Sequence, residues 1–537
     1  MFNYSPYFPY KKPRQEQKKA IEFALESFLT NKKRFVVVEA GTGVGKSAIG
    51  LTVAKYLTEE TSKVDTSIYT SAAYYLTTQK ILQKQYMDDF KKNGMLSLKS
   101  SSNYRCQYFK TKTCQESRRE LKASSDDRFK ASCASACHYV TDKNKFINGY
   151  HGVTNFPYFL TEINHSGHLP PRKVMVIDEC HNVELEMSKF VEVSFTEHFA
   201  RSVLKLTVPQ LKTQFQVVKW IKDFYMPKLS KVREQMAKTL EKVGIKKRLA
   251  DFVALERKWS MIESHWSKLS RFLELYNKDN WVMNIDDTRG ARGKKFEFKP
   301  IDVAPYTEEF LFKQAEKIFL MSATIMNKSA FCRVLGMKEE DVAFISIPSP
   351  FDVKNRPIIA TPVAKMGARE IDANLPKLAA AVTAILENHP DEKGIIHCHS
   401  YKIANYIKNN VRSKRLLSHD STNRDKILAY HQTDPRPTVL LSPSMAEGVD
   451  LKGDASRFQI LCKIPYPYLG DKLVKKRMHR WKWWYSLQTA KTIVQSVGRS
   501  IRNEEDHAVT YILDAGWDYF FSKNKGVFPQ DFKDCLK

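Results

Sequence analysis

Residues 39–47, EAGTGVGKS, follow the short apolar run FVVV and contain the residue types that bind phosphate. Glycines allow a backbone to curl so that its N–H groups point at phosphate oxygens. Lys46 would add a positive charge near the β- and γ-phosphates, and the Ser47 hydroxyl suits Mg²⁺. The strict form of this loop has glycine where Ala40 stands, and alanine is also small. The predicted phosphate-binding residues are Ala40, Gly41, Thr42, Gly43, Val44, Gly45, Lys46 and Ser47.

Two adjacent carboxylates, Asp178 and Glu179, end a second apolar run, VIDECH. Asp178 is predicted to hold Mg²⁺, either directly or through water, and Glu179 to polarise an attacking water as a general base. Paired acids at a strand end can instead cap a helix. The phosphate-binding loop elsewhere in the chain favours the catalytic interpretation.

A third motif, QSVGRSIRN at residues 495–503, contains Gln495, Arg499 and Arg502. Arginines three positions apart share one face of a helix. From a second domain they could reach a γ-phosphate and stabilise the transition state, an effect of roughly 10³–10⁵ in rate. The alternative is a solvated basic helix. The Gln-x-x-Gly-Arg-x-x-Arg spacing favours the catalytic role for all three residues.

Cys106, Cys114, Cys133 and Cys137 lie in one short basic stretch. Thiolates are the ligands of [4Fe–4S] clusters, and irregular spacing is compatible with a cluster. Zinc sites more often have paired Cys-x₂₋₄-Cys knuckles, and only Cys133 and Cys137 have that spacing. From the residues alone a cluster is favoured, while zinc and unligated thiols stay open as alternatives.

The elements that must position these residues are short β-branched runs that alternate with helical stretches. This alternation predicts parallel α/β sheets in two domains, joined near residues 346–357. The predicted strands lie near residues 35–38, 67–72, 173–179, 317–324, 394–400, 438–444 and 459–465.

Two segments interrupt this alternation, the cysteine segment (97–145) and the helical segment (185–280). Apolar residues between Phe252 and Tyr276 recur alternately three and four positions apart, which predicts a long amphipathic helix packed along a narrow seam. Its aromatic side chains are predicted to be core residues. The basic residues off the seam, predicted to be solvated, are Lys246, Lys247, Arg248, Arg257 and Lys258.

The composition places limits on the partners of the chain. Its 537 residues carry a net charge of +28, which predicts binding to a polyanion, most often nucleic acid. A generic basic surface is the alternative. No apolar run approaches the length of a membrane span, and the first residues do not look like a signal peptide. Nine cysteines, five of them far apart, do not look like a disulfide framework. We therefore expect no membrane contact and a cytoplasmic or nucleoid-associated location, or a nuclear one in a eukaryote.

Taken together, these motifs resemble superfamily 2 helicases, specifically the iron–sulfur XPD/DinG group. The resemblance covers nearly the whole chain in the family's order. AGTGVGKS is similar to motif I, DECH to a DEAH box with Cys180 in place of alanine, SAT (322–324) to motif III, SMAEGVDLKG (444–453) to motif V and QSVGRSIR to motif VI. PRQEQ (13–17) resembles the adenine-side element, with Arg14 and Gln17 as its readers. VTNFPYFL (153–160) is similar to the strand that follows the last cluster cysteine.

The resemblance implies an α/β fold of two RecA-like parallel-sheet domains, with an iron–sulfur insertion and a helical arch insertion in the first. The implied boundaries are 1–96, 146–184 and 281–345 for the first helicase domain, 97–145 for the cluster domain, 185–280 for the arch and 346–537 for the second helicase domain. The implied cofactors are ATP, Mg²⁺ and a [4Fe–4S] cluster on the four cysteines. Gly448 and Asp450 would lie on the nucleotide side of motif V, and residues 322–324 and 447–450 would couple domain closure to movement on the strand.

The implied function is an ATP-dependent DNA helicase that moves 5′-to-3′ on single-stranded DNA and unwinds forked duplex, as in DNA repair, and that works as a monomer. One alternative is an ATPase that remodels RNA or protein–nucleic acid complexes without unwinding. A second is a non-enzymatic basic scaffold, against which intact Lys46, Glu179, Arg499 and Arg502 argue.

Single strands are held by cationic grooves and aromatic stacking, so basic and aromatic clusters are the candidates for DNA contact. The first cluster is Tyr104, Arg105, Tyr108, Lys110 and Lys112. The second is the basic aromatic stretch, residues 471–488. Within it, packing is the favoured role of Trp481, Trp483 and Trp484.

Overall fold

Two parallel β-sheets form the centres of two lobes. The computed structural model describes residues 2–41, 43–60, 68–121, 124, 126–243, 249–288, 293–420, 422–443, 451, 453–498, 500–501 and 505–537. The first sheet has seven strands and the second has six, and every pairing within each of the two is parallel. The prediction of two parallel-sheet units is confirmed.

The first sheet has the strand order β10-β1-β9-β5-β2-β4-β3. Its strands are β1 (Phe35–Ala40), β2 (Thr70–Thr77), β3 (Met95–Ser97), β4 (His151–Asn155), β5 (Arg172–Asp178), β9 (Ala315–Ser322) and β10 (Val342–Ile347). Phe35 and Val37 pack into one hydrophobic cluster, whereas Val36 and Val38 pack into another. Alternate residues of β1 thus serve cores on both faces, which explains the continuous apolar run.

Helices cover both faces of this sheet and connect its strands. They are α1 (Gln15–Leu29), α2 (Lys46–Glu59), α3 (Lys80–Phe90), α7 (Phe156–Thr161), α8 (Val183–Val191), α13 (Ala304–Phe310) and α14 (Lys328–Leu335). The strand predicted by resemblance at 153–160 is wrong in its second half, since β4 ends at Asn155 and α7 begins at the next residue. Asn155 caps that helix by accepting a hydrogen bond from Tyr158 N at 3.1 Å.

The second sheet has the order β11-β16-β15-β12-β14-β13. Its strands are β11 (Ile358–Ala364), β12 (Gly394–His397), β13 (Leu416–Ser418), β14 (Val439–Ser442), β15 (Phe458–Leu461) and β16 (Val509–Asp514). Its helices are α15 (Ile371–Asn388), α16 (Tyr401–Asn410), α17 (Arg424–Thr433), α18 (Lys472–Arg480), α19 (Trp484–Val497), α20 (Trp517–Asn524) and α21 (Gln530–Lys533).

The cysteine segment leaves the first sheet after β3 and returns to it at β4. Its helices are α4 (Cys114–Leu121), α5 (Asp127–Ser135) and α6 (His138–Asn148). Buried Arg172 of β5 anchors it, because the guanidinium donates to the carbonyl of Ile147 at 3.3 Å and to that of Ala73 at 2.8 Å. These bonds tie the last turn of α6 to the interior strands β5 and β2, since terminal helix carbonyls lack partners within the helix.

The helical segment contains a strand that the sequence pattern did not predict. Its helices are α9 (Glu197–Ser202), α10 (Gln214–Trp220), α11 (Met226–Val243) and α12 (Leu249–Leu275), and β6 (Val193–Thr196) precedes them. An antiparallel sheet of order β6-β8-β7 is completed by β7 (Trp281–Thr288) and β8 (Gly293–Pro300). This sheet crosses the boundary expected at residue 280, and the domain boundaries stay predictions.

The long amphipathic helix predicted near residues 252–276 corresponds to α12, which pairs with α11. The indole N–H of Trp266 donates to Ser230 Oγ at 2.8 Å, and Arg233 binds Glu263 at 2.6 Å. Phe252 is buried and the off-seam Arg257 is exposed, as predicted. None of the helices in the described part of the chain combines the length and apolarity that a bilayer crossing requires.

Candidate active site

The phosphate-binding motif lies between β1 and α2, at the carboxyl end of a central strand. Gly43 and Gly45 have φ angles of 88° and 82°, a region that glycine occupies without strain. Lys46 is the first residue of α2, and its Nζ lies 3.5 Å from the Ala40 carbonyl oxygen. Lys46 therefore lies at a helix N-terminus that follows a glycine-rich turn, an arrangement suited to anions.

The carboxylate of Asp178 lies beside this loop, at the end of β5. Its side chain is buried, and this burial chiefly raises its pKa to about 6; adjacent Glu179 also raises the pKa, whereas Lys46 lowers it. The buried hydroxyl of Tyr86 donates to Asp178 Oδ2 at 3.1 Å and also hydrogen-bonds Ser47. Tyr86 thus links the two side chains predicted to bind Mg²⁺.

Glu179 has a backbone conformation that is uncommon for a residue other than glycine. Its φ is 51°, in the left-handed region, at a cost of about 1 kcal/mol. The carboxylate atom Oε2 lies 3.3 Å from His181 Nδ1, and the same ring nitrogen lies 2.7 Å from Ser322 Oγ. His181 therefore joins the proposed general base to the SAT motif at the end of β9.

The SAT motif is also where the two lobes meet. Gln495 of α19 donates from Nε2 to Thr324 Oγ1 at 3.2 Å. Buried Glu39 accepts hydrogen bonds from the N–H groups of Ile325 (2.7 Å) and Met326 (2.6 Å), which fixes the backbone after the motif. The loop that receives Gln495 is thereby tied to the strand that carries the phosphate-binding motif.

Arg14 and Gln17, the predicted adenine-side residues, lie directly against the glycine loop. Arg14 donates from its guanidinium to the Gly43 carbonyl at 2.7 Å and from its backbone N–H to Gln17 Oε1 at 2.9 Å. Gly45 has a φ of 82°, which other residues rarely adopt, and a Cβ atom there would also lie 2.6 Å from Gln17 Nε2.

The linker between the lobes also packs on this loop, a contact absent from the sequence analysis. A Cβ atom at Gly43 would lie 1.9 Å from Phe351 Cζ, and one at Gly41 would lie 2.6 Å from Ser349 N. Buried Phe351 forms a small apolar cluster with Ile501 and Ala508 of the second lobe. Phe351 therefore contacts the phosphate-binding loop and the second lobe together.

Several predicted site residues lie outside the described residues. They are Thr42 of the glycine loop, Gly448 and Asp450 of the motif V segment, and Arg499 and Arg502 of the motif VI segment. Of the predicted catalytic set, the structure brings together Lys46, Asp178 and Glu179, and it joins Gln495 to the same region through Thr324.

The four cysteines of the cysteine segment line one cavity. A bridge between Arg105 and Thr113 brings Cys106 and Cys114 onto one short hairpin. Cys137 precedes α6, and its Sγ lies 3.6 Å from that of Cys114. All nine cysteines are free thiols. Among the described residues, no three His, Cys, Asp or Glu side chains converge closely enough to hold one metal ion.

Burial shifts the acid–base properties of these thiols. It is the main cause that raises the pKa of Cys114 to about 12, with the hydrogen bond to Cys137 second, and it also raises the pKa of Cys133. The guanidinium of Arg118 opposes both shifts. Cys114 is therefore neutral at pH 7 unless a cationic group stabilises its thiolate form.

The nucleic-acid candidates near the cysteines divide into packed and exposed side chains. Tyr104 packs edge-on against Tyr139 with ring centroids 5.5 Å apart, and Lys112 pairs with Glu120. Arg105 and Lys110 are exposed. Tyr108 is partly exposed and joins Phe109 and Phe129 in a small aromatic cluster. The cysteine segment thus has more apolar packing than its sequence indicated.

The basic aromatic stretch at 471–488 is used mainly to join the lobes. Arg477 binds Glu184 at 2.7 Å and donates to the Ile301 carbonyl at 2.9 Å, and Arg480 donates to Asn280 Oδ1 at 3.1 Å. The expected packing role suits Trp481 and Trp484, which are buried, whereas Trp483 is 37% exposed.

Comparison with known proteins identifies two helicase-related domains. Residues 10–208 match the res subunit of type III restriction enzymes, and residues 382–523 match a helicase C-terminal domain. The ATP-dependent DNA helicase DinG of Photobacterium profundum is 23% identical over 53% of this chain and 45% of that protein. The ATP-dependent DNA helicase YoaA of Haemophilus influenzae is 22% identical over 71% of this chain and 66% of that protein. The chain thus spans between about half and two thirds of the length of these relatives.

A solved XPD helicase structure aligns along almost the whole chain. The TM-score is 0.62 at 16% identity, and the alignment covers 96% of this chain and 98% of that one. At this identity the likeness concerns the fold. It confirms the predicted α/β class with two RecA-like domains.

Two residues of the site were missed by the sequence analysis, Tyr86 and Phe351. Tyr86 lies within α3, which has no recognisable motif, and a buried tyrosine looks like an ordinary core residue. Phe351 lies in the segment that the sequence predicts to be the linker between the two domains. Only the packing of distant segments brings either residue to the glycine loop.

Proposed function

We propose that this chain is an ATP-dependent DNA helicase of the XPD/DinG type of superfamily 2. The observation that carries the proposal is the meeting of three parts at one place. The glycine loop with Lys46 lies beside Asp178, and Gln495 of the other lobe reaches Thr324 next to them. An ATP site at a cleft between lobes can convert hydrolysis into relative movement of the lobes.

In this proposal the first lobe binds and activates the nucleotide. Lys46 and the loop N–H groups bind the β- and γ-phosphates, and Arg14 and Gln17 contact the adenine side. Ser47 and Asp178 would hold Mg²⁺, which neutralises the charge that develops on the phosphates. Glu179 polarises the attacking water and His181, 3.3 Å away, orients its carboxylate.

The second lobe completes the site. Gln495 senses the nucleotide through the SAT motif, and Arg499 and Arg502 reach the γ-phosphate when the lobes close. Guanidinium groups at that position stabilise transition-state charge by roughly 10³–10⁵ in rate. Residues 447–450 would transmit closure to the bound strand.

We also propose that Cys106, Cys114, Cys133 and Cys137 hold a [4Fe–4S] cluster. Thiolates are the ligands of such clusters, and all four thiols line one cavity, which supports the proposal. Such a group would brace a small segment that has limited apolar material.

The proposed DNA path passes between the two insertions of the first lobe. The cysteine segment and the helical segment leave this lobe separately and meet again where Arg119 of α4 lies 3.5 Å from Glu256 of α12. A strand drawn between them, in the 5′-to-3′ direction, would be separated from its complement at the cysteine segment. Forked duplex is the proposed substrate, repair of DNA inside the cell the proposed setting, and a monomer the proposed working form.

The test compares ATP hydrolysis and strand separation with defined substrates. Anaerobically prepared protein should hydrolyse ATP faster with single-stranded DNA than with RNA or with no nucleic acid. It should also unwind forked and 5′-tailed duplexes in preference to 3′-tailed ones. Stimulation by RNA alone, or stimulation by DNA without unwinding, would instead favour the remodelling ATPase.

A lysine variant and a matched control test whether the measured ATP hydrolysis comes from this protein or from a contaminating ATPase. Lys46→Ala should lower kcat by about 10²-fold or more, because the positive charge at the transferred phosphate is lost. Lys55→Ala alters another lysine of α2, whose ammonium lies 3.9 Å from Glu59, and should leave turnover unchanged. Equal turnover in wild type and Lys46→Ala would favour the non-enzymatic scaffold.

A further inference from the structure

A group of tyrosines is exposed on the second lobe without any role in the nucleotide site. The exposed fractions are 42% for Tyr466, 80% for Tyr468 and 71% for Tyr519. Tyr466 and Tyr468 lie in the loop after β15, and Tyr519 lies in α20 after β16. Because β15 and β16 are parallel neighbours, both segments leave the same edge of the sheet.

The centre of this surface is held rigidly. The Tyr466 ring stacks on Tyr485 with centroids 5.7 Å apart and planes at 9°, and it meets Phe520 edge-on at 5.5 Å. The Tyr485 hydroxyl donates to the Pro467 carbonyl at 3.0 Å, which fixes the loop. At the loop tip, the Tyr468 ring covers Gly470, where a Cβ atom would lie 2.1 Å from that ring. The Tyr466 ring therefore keeps a defined position although it is partly exposed.

The charged residues around the rings suit a polyanion. Lys523 and Lys525 are exposed and follow Tyr519 by four and six residues, and Asp518 is the exposed carboxylate within α20. Exposed aromatic rings offer flat faces to nucleobases, and flanking ammonium groups attract the phosphates between them. This combination fits a single-stranded nucleic acid, whose bases are free to stack.

We propose that Tyr466, Tyr468 and Tyr519 form a stacking platform for unpaired bases of single-stranded DNA on the second lobe. The proposal rests on the proposed function and names a substrate contact that none of the helicase motifs supplies. Stacking on tyrosine tolerates every base, because each base has a π-face, so the platform suits an enzyme that must pass any sequence.

One helix connects this platform with the nucleotide site. Tyr485, on which Tyr466 stacks, lies in the first turn of α19, and Gln495 lies ten residues later in the same helix. At 1.5 Å per residue the separation is about 15 Å. A base that displaces or clamps Tyr466 would therefore act on the helix that contacts Thr324.

The test measures the contribution of bases separately from that of phosphates. Binding of an oligo-dT and of an abasic oligomer of equal length and charge is followed by fluorescence anisotropy. Wild type should prefer the oligo-dT, and Tyr468→Ala with Tyr519→Ala should reduce that preference by about tenfold, because two stacking faces are lost. Tyr468→Phe and Tyr519→Phe keep the rings and should keep the preference.

The salt dependence supplies a second readout. The slope of log K against log salt should be equal in wild type and the double alanine variant, since stacking releases no counterions. Lys523→Ala should instead make the slope shallower. Tyr150→Ala is the control. Tyr150 is 68% exposed and lies in the first lobe, just before the amino end of β4. This variant should match wild type in every measurement.

The outcomes separate this proposal from the proposed function. If wild type shows DNA-stimulated ATP hydrolysis and the double alanine variant keeps the full preference for oligo-dT, only the platform is overturned. If wild type neither binds single-stranded DNA nor responds to it, both proposals fail. Basal ATP hydrolysis without DNA should be equal in all tyrosine variants, which checks that they are folded.

Discussion

The hydroxyl of Tyr86 lies between the two side chains proposed as magnesium ligands. It donates to Asp178 and hydrogen-bonds Ser47, and its ring is buried against Tyr75 and Phe90. A hydroxyl placed in this way orients both oxygen ligands before the metal arrives. It also lowers the pKa of Asp178, whose charged form is the one that binds a cation.

Tyr86→Phe should weaken magnesium binding more than it weakens folding. The ring packing is kept, so the loss of one hydrogen bond should lower the free energy of unfolding by about 1 kcal/mol. The Mg²⁺ concentration for half-maximal ATP hydrolysis should rise several-fold, because Asp178 loses a bond that favours its ionised form. A magnesium titration of ATP hydrolysis at fixed ATP measures the shift.

Tyr75→Phe is the matched control. Tyr75 is a buried neighbour whose hydroxyl pairs with His151 at 3.2 Å, away from the site. It should reduce stability by a similar amount and leave the magnesium titration unchanged. Identical titrations for both variants would show that Tyr86 has a structural role alone.

At the scale of elements, α18 illustrates how a basic helix can serve the fold instead of the substrate. Its positive charge and neighbouring tryptophans indicated a contact with DNA. In the structure Arg477 binds a carboxylate and a carbonyl of the first lobe, and Lys472 donates to the Met283 carbonyl at 3.2 Å. The contact involves both Glu184, next to the DECH motif, and the antiparallel sheet.

Arg477→Met should loosen the attachment of the second lobe. Removing one partner of a partly buried ion pair leaves Glu184 unpaired, and we expect a loss of about 2 kcal/mol in the free energy of unfolding. Glu184→Gln should produce a similar loss, and the double variant less than the sum. Thermal unfolding followed by circular dichroism measures these changes.

Lys475→Met supplies the comparison on the same helix, because Lys475 is exposed. It should change stability by less than about 0.5 kcal/mol. Its salt slope for DNA binding should become shallower if this face contacts phosphate. A shallower slope for Arg477→Met with unchanged unfolding would mean that Arg477 is available to DNA after all.

At the scale of the whole molecule, an ion pair joins the two insertions in the first lobe. Arg119 belongs to the cysteine segment and Glu256 to the helical segment, and both side chains are largely buried at their contact. The cysteine segment has only a small aromatic cluster to stabilise its own fold. Its position against the helical segment depends on that fold. A cluster on the four cysteines would therefore stabilise the contact between the two insertions.

Loss of the proposed cluster should separate unwinding from ATP hydrolysis. In Cys114→Ser or Cys137→Ser, iron content and absorbance near 400 nm should fall, and forked-duplex unwinding should be lost. ATP hydrolysis without DNA should persist, since the glycine loop and Asp178 lie outside the cysteine segment. Cys332→Ala alters a buried thiol of α14 and should retain full iron content. One zinc and no iron per wild-type chain would contradict the cluster.

The strands predicted from the sequence are all interior strands of the two sheets. Interior parallel strands are buried on both faces, so β1, β5, β9 and β12 appear as continuous apolar runs. The four edge strands, β3, β10, β11 and β13, were not predicted, because an edge strand needs fewer apolar residues. Interior β16 was missed as well, and β2 begins at Thr70, later than expected.

By itself, the sequence determined the chemistry that depends on neighbouring residues. The glycine loop with Lys46 and the Asp178–Glu179 pair are local patterns, because a turn and a strand end place their groups within a few residues of the chain. The tertiary structure alone decided which distant side chains meet. Tyr86 reaches Asp178, Phe351 covers Gly43 and Arg477 binds Glu184 because sheets and helices pack in one arrangement, and no short-range pattern in the sequence encodes that packing.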